Sequence, residues 1–153
     1  MASYISATNV NLTFAPKNRA SVNALNDFNV SVEEGEFVSI VGPSGCGKST
    51  FLNVLLGLIP PNSGEMAIHG KKISGPGQDR AMVFQEFGLL PWRTVQDNIT
   101  LGLELRGVSA AERNQVAEKF IEMVGLQGFE RHYPHELSGG MKQRVGLARA
   151  LVT

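Results

Sequence analysis

"GPSGCGKST", residues 42–50, sits between two apolar runs, "EFVSIV" (36–41) and "FLNVLLGL" (51–58). Glycines at 42, 45 and 47 leave a loop with few side chains, so its backbone can wrap closely around a small ligand. Gly42, Gly47, Lys48 and Ser49 satisfy the spacing G-x-x-x-x-G-K-[ST]. The chemistry that needs this spacing is phosphate binding. Several N–H groups of such a loop point inward, and the helix that follows adds the positive end of its dipole. Lys48 would reach the β- and γ-phosphates, and the Ser49 hydroxyl would ligate Mg²⁺. Gly42, Pro43, Ser44, Gly45, Cys46, Gly47, Lys48, Ser49 and Thr50 are therefore the candidate binding residues for a nucleoside triphosphate with magnesium. Loops of this kind serve NTPases of many functions, so the motif alone does not choose among them.

The flanks fit a strand–loop–helix unit. "EFVSIV" is apolar through most of its length, as expected of a strand buried on both faces. The helix after the loop is predicted from about Lys48 to Leu58, stopped by Gly57 and Pro60-Pro61. Upstream, "YISATNVNLTF" (4–14) and "ALNDFNVSV" (24–32) alternate imperfectly and read as antiparallel strands joined by the polar turn "APKNRAS". "EMAIHGKKI" reads as a short strand pair at best, and "RAMVF" (80–84) as the next buried strand.

Beyond residue 85 the pattern turns helical. Thr94 with Asp97 forms a capping-box pattern opening a helix to about Leu105, weakened by Gly102. Ser109 with Glu112 opens a clearer helix in which Val116, Phe120, Met123 and Val124 share a face and Gly125 is the natural stop. Ser138 caps a last helix with Met141, Val145, Ala148 and Leu151 at helical spacing. Lys142, Arg144 and Arg149 read as its solvated face. His69, His132 and His135 lack metal-ligand spacing and read as surface residues.

Bulk properties narrow the class. The 153 residues suffice for one domain with a core. Fourteen basic and fourteen acidic residues cancel, which removes the basic footprint of a nucleic-acid binder. No apolar stretch approaches the length of a membrane span, and "MASYISATNV" has neither the charge nor the apolar core of a signal peptide. Cys46 is the only cysteine, which implies a reducing compartment and no redox role. The expected location is cytosolic, with contact to a membrane through a partner.

"LSGGMKQR" (137–144) narrows the choice further. Ser138, Gly139 and Gly140 at a helix start form a second anion-seeking N-terminus. In a head-to-tail dimer, each such start could close on the nucleotide of the other protomer.

With both motifs quoted, the whole chain resembles the ATP-binding subunits of ABC transporters. Their P-loop corresponds to Gly42–Thr50 and their signature motif to Leu137–Gly140. The fifth signature residue is often Gln in that family and is Met141 here, a mild departure. The resemblance implies that Gln85, after "RAMVF", contacts Mg²⁺ and the attacking water and relays nucleotide state to a membrane subunit. It implies that Phe14 stacks on adenine, against the alternatives of a core Phe14 or of Tyr4 in that role. Trp92 either faces a membrane-embedded partner or is buried locally. "MVFQEFGLLPWRTVQDNITLGLELRG" resembles the nitrate, sulfonate and taurine importer subgroup.

The implied fold is α/β, a P-loop NTPase of the ABC ATPase type. The implied single domain divides into an antiparallel β part (1–35), a P-loop core portion (36–85), a mainly helical subdomain (86–137) and a signature helix (138–153). The implied cofactors are ATP and Mg²⁺. The implied partners are transmembrane permease subunits, a second copy of the ATPase and, indirectly, a periplasmic or extracellular solute-binding protein. Peripheral attachment to the cytoplasmic face of the membrane follows. The family also carries, further along its chains, a strand ending in Asp and Glu, a γ-phosphate-sensing histidine and two strands flanking the P-loop strand. None of these can be assigned here, so the expectation is a C-terminally incomplete domain that folds marginally, binds ATP poorly and hydrolyses it negligibly. Two other readings remain from the residues: a non-catalytic nucleotide-binding protein, and a soluble P-loop NTPase outside transport.

Overall fold

A computed structural model describes residues 3–18 and 20–152; Met1, Ala2, Arg19 and Thr153 lie outside the described residues, and with Arg19 part of the turn "APKNRAS". The chain divides into two compact units, residues 1–80 and 81–153.

The first unit is a four-stranded antiparallel sheet with one helix on it. Strands β1 (Ile5–Phe14), β2 (Val22–Val32), β3 (Ser63–Ile68) and β4 (Lys71–Lys72) lie in the order β2-β1-β3-β4. β1 and β2 form the expected antiparallel pair, with Ile5 opposite Val32 and Phe14 opposite Val22. The register shifts midway, where Asn9 and Asp27 take left-handed backbone angles (φ 49° and 44°). Side-chain amides satisfy the displaced backbone: Asn9 N–H donates to Asn29 Oδ1 at 2.8 Å, and Asp27 N–H donates to Asn11 Oδ1 at 2.8 Å. Asn and Asp tolerate that conformation and bond locally, which explains why a bulge settles here.

Helix α1 (Lys48–Leu55) follows the glycine-rich loop and ends three residues earlier than its pattern suggested, with Gly57 turning left-handed at φ 75°. Phe51 and Val54 pack on Ala7, Val10, Leu12, Leu25 and Met66 from the sheet. The rings of Phe28 and Phe51 meet at 4.8 Å.

The two runs expected to be buried strands are corrected by the structure. Residues 36–41 and 80–84 form no strand. Phe37 and Val41 are each 93% exposed, and Val38, Ile40, Val83 and Phe84 are exposed as well. A strand buried on both faces needs hydrogen-bonding neighbours on each edge. Among the described residues, no strand pairs with either run.

The second unit is a helical cluster. Its helices are α2 (Val95–Ile99), α3 (Leu101–Leu105), α4 (Ala110–Met123) and α5 (Gly139–Leu151), with a short 3-10 turn at Pro134–Glu136. The helix expected from Thr94 to Leu105 is thus two, divided at Thr100. Val95, Ile99, Ala117, Ile121, Leu126, Leu137, Val145 and Ala148 make the core. Met123 and Leu151, expected on buried faces, are exposed; Ala117 and Ile121 carry the α4 contact instead.

Local end signals act as their chemistry dictates. Thr94, Ser109 and Ser138 accept from the N–H groups of Asp97, Glu112 and Met141, at 3.2, 3.3 and 3.3 Å. At the end of α4, Gly125 is left-handed (φ 64°), its N–H reaches Glu122 O and that of Leu126 reaches Ile121 O, both at 2.9 Å. This is the Schellman arrangement, and Ile121 and Leu126 share its apolar contact.

Asn98 is fully buried in this unit. Its Oδ1 accepts from Leu90 N–H at 2.8 Å, and its Nδ2 donates to the carbonyls of Leu90 (3.1 Å), Arg93 (3.0 Å) and Thr94 (2.9 Å). One side chain therefore closes the loop 90–94 onto α2. Asn98→Ala strands Leu90 N–H and the Arg93 carbonyl, while the Leu90 and Thr94 carbonyls keep the N–H groups of Arg93 and Asn98, and is expected to destabilise the chain by about 2–3 kcal/mol. A urea midpoint unchanged from the parent chain would contradict that assignment of the loop's anchor.

Candidate nucleotide-binding site

The glycine-rich loop is positioned by α1, and α1 by the sheet. Gly47 precedes the helix in a left-handed conformation, φ 98° and ψ −1°. A Cβ at Gly47 would run into the carbonyl oxygen of Ala24 on β2. Only glycine suits both the angle and the close approach. Gly45 is also left-handed, φ 82°, with open space where a side chain would be. A Cβ at Gly42 would come within 2.8 Å of Cys46 Sγ, so the loop folds tightly on itself.

The first intrahelical bond runs from Phe51 N–H to Gly47 O at 2.8 Å. The amides of Lys48, Ser49 and Thr50 precede it and head the helix with no side-chain cap and no acidic residue in the first turn. The positive end of the helix is thus left uncompensated. The Lys48 ammonium turns back over the loop and donates to the carbonyls of Gly42 and Pro43, each at 2.7 Å, with Cys46 Sγ at 3.5 Å. A cation, three amides and a helix end converge on one exposed loop. Phe14 closes β1 in the same unit; it is 41% exposed and belongs to neither apolar core, which removes the reading of a core phenylalanine.

The second unit carries the other site residues. Ser138 caps α5, and its carbonyl accepts from Lys142 N–H at 3.0 Å. Gly139 and Gly140 follow inside the helix, where a Cβ at either would meet nothing within 4 Å. Glycine weakens a helix by roughly 0.5–1 kcal/mol relative to alanine. No contact within the described residues requires glycine at these two positions. Gln85 lies on an exposed turn and lines one shallow depression with Val83, Phe84, Gly140 and Arg144.

Arg144 and Arg149 do more than the solvated face expected of them: Arg144 is exposed and Arg149 half-buried, and both hold backbone carbonyls. Arg144 Nη1 donates to Val124 O (3.1 Å) and Gly125 O (3.3 Å) at the end of α4. Arg149 donates from Nη1 to Gly88 O (2.7 Å) and from Nη2 to Phe87 O (3.0 Å), and burial pushes its pKa below the ordinary arginine value. Their partners are main-chain atoms distant in sequence, which carry no residue-type signal. Trp92 is 71% exposed, so it is not buried locally. His69 rests edge-on against Tyr4 at 4.1 Å.

A profile of the ABC transporter family matches residues 25–153. The chain belongs to the ABC transporter family. An ABC transporter ATP-binding protein of Methanocaldococcus jannaschii, MJ0412, is 54% identical over 130 residues, covering 85% of this chain and 49% of that protein. The taurine import ATP-binding protein TauB of Escherichia coli K12 is 50% identical over 128 residues, 84% of this chain and 50% of TauB. The chain spans about half the length of these curated relatives. Among solved structures, a dimeric ATP-binding cassette, MJ0796, bound to ADP and Pi in a post-hydrolysis state, is similar at TM-score 0.83 and 38% identity, covering 97% of this chain and 69% of that one. A second dimeric structure of MJ0796, described as a bacterial ABC transporter cassette, gives TM-score 0.85.

The loop bearing Trp92 is held on its far side by charge. Arg93 contacts Glu104 at 2.5 Å, and Arg113 reaches the same carboxylate at 3.2 Å. The hydrogen bond from Arg93 holds the Glu104 carboxyl below the ordinary glutamate range. A depressed folded-state pKa contributes stability above the unfolded value, and that stability is lost as pH falls through the folded value. Glu104→Gln is therefore expected to flatten the acid limb of a melting-temperature profile, with less effect in 1 M salt. An acid limb unchanged by the substitution would show that the pair does not couple to folding.

Proposed function

We propose that this chain is the ATP-binding part of an ABC transporter ATPase, in which ATP binding closes a dimer and hydrolysis reopens it to drive transport. The observation that carries the reading is the Lys48 ammonium and three uncapped amides gathered at the head of α1. Phosphate oxygens would draw Lys48 away from the Gly42 and Pro43 carbonyls and take the N–H groups of the loop 42–50. Ser49 is proposed as the Mg²⁺ ligand, and Gln85 as the group that contacts Mg²⁺ and aims the water. Phosphoryl transfer needs such positioning and charge neutralisation more than covalent chemistry. Phe14, exposed at the end of β1, is proposed to stack on adenine.

Ser138, Gly139 and Gly140 are proposed to close on the ATP of a second copy of the chain, head to tail. Their bare surface supports this, as does the dimeric state named for the MJ0796 cassette. Half identity to TauB supports an importer of a small sulfonate-like or related anion, with transmembrane permease subunits and a solute-binding protein as partners. The exposed Trp92 suits contact with the permease, and no described helix is long and apolar enough to cross a membrane itself. Attachment to the cytoplasmic face of the membrane is proposed on that basis. We propose one ABC ATPase domain over 1–153, its P-loop portion at 36–85, its helical part at 86–137 and its signature helix at 138–153.

Titration with a fluorescent ATP analogue tests the reading. Lys48→Ala is expected to weaken binding at least tenfold, about 1.4 kcal/mol. Ser49→Ala should leave metal-free binding intact while removing its enhancement by Mg²⁺. Equal affinity of the parent chain and Lys48→Ala would overturn the assignment.

A further inference from the structure

We propose that Arg149 is a positioning residue for Gln85: its guanidinium clamps the loop that carries Gln85 onto the helix that begins at Ser138. The proposal rests on the reading of Gln85 as the metal- and water-contacting residue. The geometry supplies the rest. Gln85 lies two residues before Phe87 and three before Gly88, whose carbonyls accept from Nη2 and Nη1 of Arg149 at 3.0 and 2.7 Å. A planar guanidinium presents its two N–H groups to these adjacent carbonyls at a fixed spacing, whereas an ammonium is a compact point charge on a flexible stem with no such preset geometry. The bonds join residues 61 and 62 positions apart.

The clamped loop is a strained one. Phe87 and Gly88 are both left-handed, at φ 60° and 54°. A bulky residue in that region persists only when its surroundings fix it. Within the loop, Phe87 N–H bonds to Phe84 O at 3.1 Å and Gly88 N–H to Glu86 O at 2.6 Å, so the turn folds around Gln85 itself. Gly88 leaves room for the clamp: a Cβ there would lie 3.4 Å from Arg149 Nη2 and 3.3 Å from Phe84 Cδ2. Gly146, one turn before Arg149 on α5, also faces this turn: a Cβ there would be in ordinary contact with Phe87 O at 3.6 Å.

α5 starts at Ser138, Gly139 and Gly140, proposed to meet the nucleotide of the second copy. Near its other end the same helix holds the Gln85 turn. A rigid helix with a forked anchor makes the two groups travel together, so a shift of one is felt by the other.

The test is ¹⁵N NMR of the chain, of Arg149→Ala, of Arg149→Lys and of Gly88→Ala, with and without MnATP as a paramagnetic probe. In Arg149→Ala the amide exchange of Phe87 and Gly88 is expected to rise at least about tenfold, while the α2 and α4 amides keep their rates. Arg149→Lys restores the charge but not the fork and should recover only part of the protection. Gly88→Ala should loosen the same turn with no charge removed. MnATP should broaden the Gln85 side-chain amide in the parent chain and do so less in Arg149→Ala, with broadening at Lys48–Thr50 unchanged. Unchanged exchange at Phe87 and Gly88 in Arg149→Ala would overturn the clamp, and so would a rise spread equally through α2 and α4. If MnATP broadens Lys48–Thr50 but leaves Gln85 sharp in the parent chain, the metal role of Gln85 fails, and the exchange rates still decide the clamp.

Discussion

The seat of Gly47 against the Ala24 carbonyl is the contact on which the binding loop depends. It fixes where α1 begins, and the helix start fixes where the free amides point. Phe51 and Val54 then hold the helix on the same sheet, through apolar burial that has no directional preference of its own. Direction comes from the glycine. With a side chain at 47 the backbone would have to leave β2, and the loop 42–46 would lose its wall. The same division of labour recurs in the second unit, where an apolar core sets the packing and a few polar anchors set the loops.

Those anchors share a design. Asn98, Arg144 and Arg149 each reach main-chain atoms in irregular segments rather than other side chains. Irregular backbone has donors and acceptors that no helix or sheet satisfies, and side chains from neighbouring helices supply the missing partners. Asn98 holds the loop that exposes Trp92, Arg149 the turn that carries Gln85, and Arg144 the end of α4. Trp92 and Gln85 thus sit on irregular segments, and the side chains that hold those segments are on helices.

Local signals were the legible part of the sequence. Thr94, Ser109, Ser138 and Gly125 act through atoms within a few residues, so their types and spacing foretell helix ends. The antiparallel pair β1 and β2 was legible for a related reason, since alternation and a short connection specify it. "EFVSIV" and "RAMVF" show the limit. Apolar content reports a demand for burial, but strand formation needs partners elsewhere in the chain, and residues 36–41 and 80–84 have none among the described residues. The anchoring bonds of Arg144 and Arg149 were not legible because their acceptors are carbonyls 19 to 62 positions away, with no identity to read. Asn98 left one trace: an amide three residues after Val95 and next to Ile99, on the buried side of α2.

The central claim is that the loop 42–50 receives a triphosphate at the head of α1. Backbone amide shifts on titration with ATP test it most directly. The account predicts that the largest changes fall on residues 44–50, with the Lys48 ammonium leaving the carbonyls of Gly42 and Pro43. Largest changes elsewhere, with 44–50 unmoved, would contradict it.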